Sequence, residues 1–323
     1  MNRYFILITA LTMALAGCGQ KPAKTAEEQL APAAFLADSA YAYVAAQVEM
    51  GARVPGTDAH SRCLTYLSST LERFGLETAI ERGSLPRYDG KQQAICNIVG
   101  RYRPDLKERV LLCAHWDCRP WSDHESDPAK QQLPVLGAND GASGVGVLLE
   151  IARQLQLQRP ETGVDIVFFD AEDMGTPEFF QGEERPNTWC LGSQLWAEQH
   201  KAEKADYACG ILLDMVGTPE AVFGHEYFSQ QYAARIVNQL WRTAAQLGFG
   251  KWFVFRDSGA VTDDHYYVNT IAGIPTIDII HYDPRSGTGF PPYWHTNNDD
   301  MSNVSASTLH AVGTTLMTFI SGK

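Results

Sequence analysis

Gly163-Val164-Asp165-Ile166-Val167-Phe168-Phe169-Asp170-Ala171-Glu172-Asp173 is an apolar run that ends abruptly in acid. Val164, Ile166, Val167, Phe168 and Phe169 are β-branched or aromatic almost without interruption, the composition of a strand buried on both faces of a parallel or mixed sheet. Asp170, Glu172 and Asp173 then fall where such a strand leaves the sheet. Open α/β sheets bind ligands at the carboxyl ends of their strands. Neighbouring carboxylates at that edge repel each other unless a cation is shared, so a metal ion is the first ligand to consider. The plain alternative is an acidic loop feeding a helix N-terminus.

On either side of this stretch, Arg109–Ala114 (RVLLCA) and Ala208–Asp214 (ACGILLD) read as further buried strands. Glu77–Glu81, Ala94–Tyr102, Trp252–Phe255 and Pro275–Ile280 read as strands as well. Between them lie helical patterns. Leu64, Leu67, Leu71 and Phe74 form one stripe that stops at Gly75, and Ser229–Leu247 is amphipathic with Gly248 as its stop. Helices are also expected near residues 34–50, from Gly137–Gly146 to about Gln158, at Leu191–His200 and at Val304–Ile320. Strands alternating with helices predict an α/β fold, a three-layer α/β/α sandwich with a central mixed, mostly parallel sheet. Trp116–Leu136, with Pro120, Pro128 and Pro134, is a long polar loop of the kind that tends to carry function.

The first residues suggest export. Asn2-Arg3, an apolar run from Tyr4 to Ala16 too short to span a bilayer, and Leu15-Ala16-Gly17-Cys18 make residues 1–17 a signal peptide. Cys18 behind small residues resembles the lipobox of bacterial lipoproteins, whose cysteine is acylated. Residues 18–33 then read as a lipidated flexible tether, and 34–323 as one catalytic domain. Gly19 is compatible with outer-membrane sorting, so the expected place is the cell envelope, on the periplasmic side of the outer membrane, attached through lipid only. The net charge of −12 argues against nucleic acid and anionic membrane faces as partners. Cys63, Cys96, Cys113, Cys118, Cys190 and Cys209 remain after Cys18, with no pairing assigned and no CxxC for a cysteine zinc cluster.

Three buried strands end in imidazole or acid: His115-Trp116-Asp117, Glu172-Asp173 and Asp214. Asp140 stands in Gly137-Ala138-Asn139-Asp140-Gly141-Ala142-Ser143-Gly144 before a helix, and Tyr293-Trp294-His295-Thr296 comes late. Imidazole and carboxylates are the ligand set of catalytic zinc, which keeps one position open. Each residue alone has an ordinary structural reading as a cap, a turn residue or a satisfied histidine. Their joint recurrence at one sheet edge is what points to a site. The glycines near Asp140 lack the GK[ST] of a phosphate loop.

The order HWD, GANDGASG, FFDAED, LLDMVG and WHT resembles the zinc-dependent M28 peptidase superfamily from about Arg53 to the end. That superfamily holds dizinc aminopeptidases and single-zinc glutaminyl-peptide cyclotransferases. Thr262-Asp263-Asp264-His265 resembles the cyclase DDH segment, and Trp294 before His295 resembles the cyclase pocket tryptophan. The resemblance implies one zinc ion held by Asp140, Asp173 and His295, with Glu172 as general acid/base assisted by Asp214 and Asp263. Trp294 would wall a pocket that His115 and, for a tryptophan missing after the acidic pair, Phe179 or Trp189 complete. Asp173 departs from the glutamate usual in animal cyclases.

The implied reaction closes an N-terminal glutaminyl residue of a peptide or protein to pyroglutamate with release of ammonia, in a protein expected to act as a monomer. The alternative is a dizinc aminopeptidase, because His115 and Asp214 stand where that branch binds a second zinc. A third reading is an envelope binding protein that kept the fold without catalysis, against which the intact Glu172 and ligand set speak.

Overall fold

The computed structural model describes residues 31–183 and 185–322. The signal peptide, Cys18 and the tether as far as residue 30 lie outside the described residues. The strands are β1 (Glu77–Pro86), β2 (Gln92–Tyr102), β3 (Arg109–His115), β4 (Val164–Phe169), β5 (Tyr207–Asp214), β6 (Phe223–His225), β7 (Phe253–Asp257) and β8 (Thr276–Ile280). The helices are α1 (Ala37–Glu49), α2 (Asp58–Arg73), α3 (Ala142–Gln158), α4 (Leu191–His200), α5 (Tyr227–Gln246), α6 (Asp264–Tyr267) and α7 (Ala306–Ile320).

Six strands form one mixed sheet in the order β1-β2-β4-β3-β5-β8. β4, β3, β5 and β8 run parallel, while β2 is antiparallel to both β1 and β4. The α/β sandwich read from composition is therefore the observed architecture. β3 and β4 are buried at every position, as expected of strands covered on both faces.

The pleat sorts their side chains into two cores. Leu112, Ala114, Ile166 and Phe168 meet Val44 of α1, Leu67 of α2, Leu148 of α3, Leu240 of α5 and Leu316 of α7. Leu111, Cys113, Val167 and Phe169 meet Trp196 of α4 and Val268 on the opposite face. Burying a side chain such as Phe168 contributes roughly 1.5–3 kcal/mol, so these central strands are the firmest part of the frame.

The hairpin of β1 and β2 is longer than the apolar pattern indicated. Its outer half is held by backbone pairing, Arg82 to Cys96 through Pro86 to Gln92, and β1 itself is half exposed, so little hydrophobic signal marks it. Helix α3 starts at Ala142, five residues after Gly137. Residues 137–141 are instead an irregular turn in which Gly137 has φ +62° and the Asp140–Gly141 peptide is cis.

Candidate metal centre and its pocket

The parallel strands deliver their chemistry to one edge. β3 ends in His115, β5 ends in Asp214, and the turn after β4 carries Glu172 and Asp173. Asp140 comes from the turn before α3, Asp263 caps α6, and His295 lies on the loop before α7. Nε2 of His295 is 3.2 Å from Asp173 Oδ1 and 3.6 Å from Asp140 Oδ2. The three side chains are 2–6% exposed, and Asp173 Oδ1 accepts no hydrogen bond. Two carboxylates and an imidazole brought together in this way fit a zinc ion with an open position.

His115, Asp140 and Asp214 form a second convergent group. Here the imidazole sits between the acids: His115 Nε2 is 2.8 Å from Asp140 Oδ1 and 3.4 Å from Asp214 Oδ1, with Nδ1 3.4 Å from Asp117. Burial opposes a charge on His115. The carboxylates of Asp117, Asp140 and Asp214 outweigh it and hold the imidazole protonated well above its usual range.

Two buried carboxylates fix the ligand-bearing turns. Asp117 accepts from the backbone N–H groups of Glu172 (3.1 Å) and Asp173 (3.3 Å), and Asp299 accepts from those of Asn139 (2.9 Å) and Asp140 (3.1 Å). Left-handed backbone recurs beside the functional groups, at Ala171 (φ +54°), Cys190 (+55°), Met215 (+48°) and His295 (+54°). Such residues are strained and persist only where their surroundings over-determine them. Gly141 is required for closeness, since a Cβ there would collide with the His115 ring and carbonyl oxygen.

Desolvation raises Glu172 well above the usual carboxylate range; His115 opposes this, and Asp173, Asp263 and Asp264 add to it. Asp214 is pushed up to about 7, chiefly by burial and then by Asp140. Burial likewise raises Asp263. Asp173 moves the other way, because His295 and Arg119 outweigh its burial. Glu172, Cys190 and Asp263 lie within 4.8 Å of one another, and the Cys190 thiol donates to Glu172 Oε1 at 3.1 Å.

A cavity of about 720 Å³ opens above these groups, lined by Asp140, Glu172, Asp173, Asp214, Asp263 and His295 and walled by Trp189, Trp294, Phe180, Tyr282 and Phe290. Trp294 stacks on His295 at 3.6 Å and 24°, and Trp189 lies parallel to the same imidazole at 6.0 Å. Phe179 is corrected to a position outside this lining. It meets Trp121 edge-on at 6.3 Å, and Phe180 faces the cavity in its place. His115 is likewise not on the wall but behind it, 1% exposed and bonded to Asp140.

Asp170, read as part of the acidic edge, turns away to pair with His60 at 2.8 Å. The sequence reading missed Arg119, Asp123 and Asp299, and gave Asp117 no role beyond its place in the HWD triplet. Among these, only Asp117 had a legible signal. The six cysteines from Cys63 to Cys209 are free thiols.

Residues 97–320 match Peptidase family M28. The crystal structure of Tannerella forsythia glutaminyl cyclase is 51% identical and superimposes with a TM-score of 0.87, covering 90% of this chain and 99% of that one. A Zn-dependent exopeptidase from Parabacteroides distasonis is 50% identical, with a TM-score of 0.88 over 91% of this chain and 100% of that one. Glutaminyl-peptide cyclotransferase of Bos taurus is 22% identical over 304 residues, 83% of this chain and 77% of the relative.

Proposed function

The chain belongs to peptidase family M28, and on that premise we propose that it is a zinc-dependent glutaminyl-peptide cyclotransferase that closes N-terminal glutaminyl residues of peptides and proteins to pyroglutamate. The likeness to Tannerella forsythia glutaminyl cyclase over nearly the whole of both chains supports the reaction. In the structure the reading is carried by Glu172, which sits beside Asp263 and one complete ligand set at the floor of an aromatic cavity.

Asp140, Asp173 and His295 would hold the one zinc ion. A zinc ion bound there supplies a Lewis acid and a positive charge beside the cavity floor. Glu172 takes a proton from the substrate α-amine. The amine nitrogen bonds to the γ-amide carbon, the bond from that carbon to the amide nitrogen breaks, and Glu172 returns the proton to the departing ammonia. Burial and the neighbouring acids Asp173, Asp263 and Asp264 keep Glu172 basic enough for both transfers. Nucleophile and electrophile belong to one residue, so the pocket has chiefly to fold the substrate. Trp294 and Trp189 provide flat walls for a ring-like pose. No nucleophilic water is needed.

One zinc belongs to this reading, and His115, Asp140 and Asp214 form the group that would hold a second ion in an aminopeptidase. The same reading keeps 1–17 as a signal peptide, 18–33 as a tether lipidated at Cys18 and 34–323 as the catalytic domain. It makes the protein an exported monomer held to the periplasmic side of the outer membrane. Among the described residues no helix is long and apolar enough to cross a membrane. The test is an assay of the purified soluble protein on a Gln-initiated peptide, with zinc quantified in the same sample. Ammonia, a cyclised N-terminus and one zinc are expected; a freed amino acid and two zincs would make the protein an aminopeptidase.

A further inference from the structure

Arg119 is 1% exposed, a guanidinium almost wholly removed from water at the floor of the loop that follows β3. A buried arginine is costly unless its donors are used, and here each is directed at a part of the site. Nε donates to Asp123 Oδ1 at 2.7 Å, and one terminal nitrogen donates to Asp123 Oδ2 in a bidentate pair. The other terminal nitrogen donates to the Asp173 carbonyl at 3.2 Å and lies 3.5 Å from its carboxylate Oδ1. Cζ of the guanidinium stands 4.5 Å from the Trp189 ring centroid.

Asp123 extends the connection. Its Oδ1 lies 3.8 Å from Nδ1 of His295, and its Oδ2 accepts from the backbone N–H of Glu178 at 3.0 Å. Nδ1 is buried without a hydrogen-bond partner, and a carboxylate facing it favours through space the tautomer with the proton there, which leaves the Nε2 lone pair toward Asp140 and Asp173. Trp189 in turn lies parallel to the His295 ring. One cation therefore touches Asp173 and Trp189 directly and reaches His295 through Asp123.

We propose that Arg119 is a positioning residue that, with Asp123, presents Asp173 and His295 to the metal and seats Trp189 against the substrate. This rests on the zinc site of the reading above but not on the reaction chosen for it. The shorter arm of Asp173 makes the role concrete. A carboxylate with little reach has to be held in place by its neighbours, and Arg119 is the cation that bonds its backbone carbonyl and lies 3.5 Å from its carboxylate.

The experiment measures zinc affinity by competition with a chelator on the folded soluble protein, with the unfolding midpoint recorded for every variant. Arg119→Met should weaken zinc roughly 10–100-fold, the usual effect of losing a partner of a metal ligand. Arg119→Lys, which restores the charge without the fork, should fall between parent and Met. A folded Arg119→Met protein that binds zinc within about threefold of the parent, or a Lys variant no better than Met, overturns the proposal. Should Arg119→Met not fold, Asp123→Asn must weaken zinc by at least about tenfold, and an unchanged affinity there overturns it equally. A parent that binds zinc yet frees amino acids sinks the cyclase reading and leaves this one standing; a parent that binds no zinc sinks both.

Discussion

Nε2 of His115 lies 2.8 Å from Oδ1 of Asp140, the acid whose other oxygen is 3.6 Å from His295. Asp140 thus faces an imidazole on each side and joins the two groups that could hold a metal, His295 with Asp173 and His115 with Asp214. His115→Ala should leave one zinc per chain bound, whereas a dizinc enzyme would drop from two to one. Metal analysis of the parent and variant proteins after exhaustive dialysis decides between these outcomes.

Glu172 is the proposed proton carrier, and it is not among the proposed metal ligands. Glu172→Gln should lower kcat by about 10²–10⁴-fold with zinc content unchanged. Loss of zinc from that variant would mean that Glu172 and Asp173 exchange roles. His295→Ala, by contrast, should abolish zinc retention, and a variant that keeps its full zinc content would contradict the ligand assignment.

A Cβ added at Gly175 would run into the Trp189 indole. The ring therefore rests on a bare backbone, between that glycine and the guanidinium of Arg119. Gly175→Ala should push the indole aside and raise KM for Gln-initiated peptides severalfold, on the order of 1 kcal/mol of lost pocket contact, with zinc retained. Steady-state kinetics at saturating zinc reads this directly; an unchanged KM would show that Trp189 takes no part in seating the substrate.

Asp117 accepts two backbone N–H groups inside the protein, so Asp117→Ala leaves both buried and unpaired. A loss of roughly 2–4 kcal/mol in unfolding free energy is expected. Denaturant titration of parent and variant proteins measures it, and a change below about 0.5 kcal/mol would show that the turn is held by other contacts.

Glu226, the N-cap of α5, gives a pH dependence of stability through a group that is not among the proposed metal ligands. Burial works against its ionisation. His265 at 3.0 Å and the N–H groups of Val261 and Ser229 outweigh burial and lower it to about 2. A folded-state value below the unfolded one stabilises at higher pH, because the unfolded chain takes up the proton first. The contribution, of the order of 3 kcal/mol, should be complete above about pH 4.5 and vanish as the pH falls through about 2. Glu226→Gln should flatten that part of the stability profile; parallel profiles for the two proteins would refute the assignment.

What the chain disclosed in advance followed from how strongly each element is marked. β3, β4 and β5 are dense in apolar residues, and their polar ends could be read directly as one rim, so His115, Glu172, Asp173 and Asp214 were legible as candidates, while Asp140 and His295 stood out through the GANDGASG and WHT motifs. Arg119 and Asp123 were not. A buried arginine is written in the same letter as a surface one, and only folding of the 116–136 loop against the turn after β4 brings its partners together. Phe179 and Phe180 differ by one position in a segment without periodicity, where nothing in the sequence says which ring turns inward. The irregular 137–141 turn resembled a helix start because its glycines permit both conformations.

Ala171 turns the chain left-handed between the end of β4 and Glu172, a conformation in which an alanine is uncomfortable and a glycine at ease. Relaxing that kink with glycine would remove local strain but give the adjoining pair of acids more freedom of direction. Tolerance to heat and fidelity of aim thus pull against each other at a single methyl group, and an engineer seeking a hardier enzyme would do well to leave that position alone.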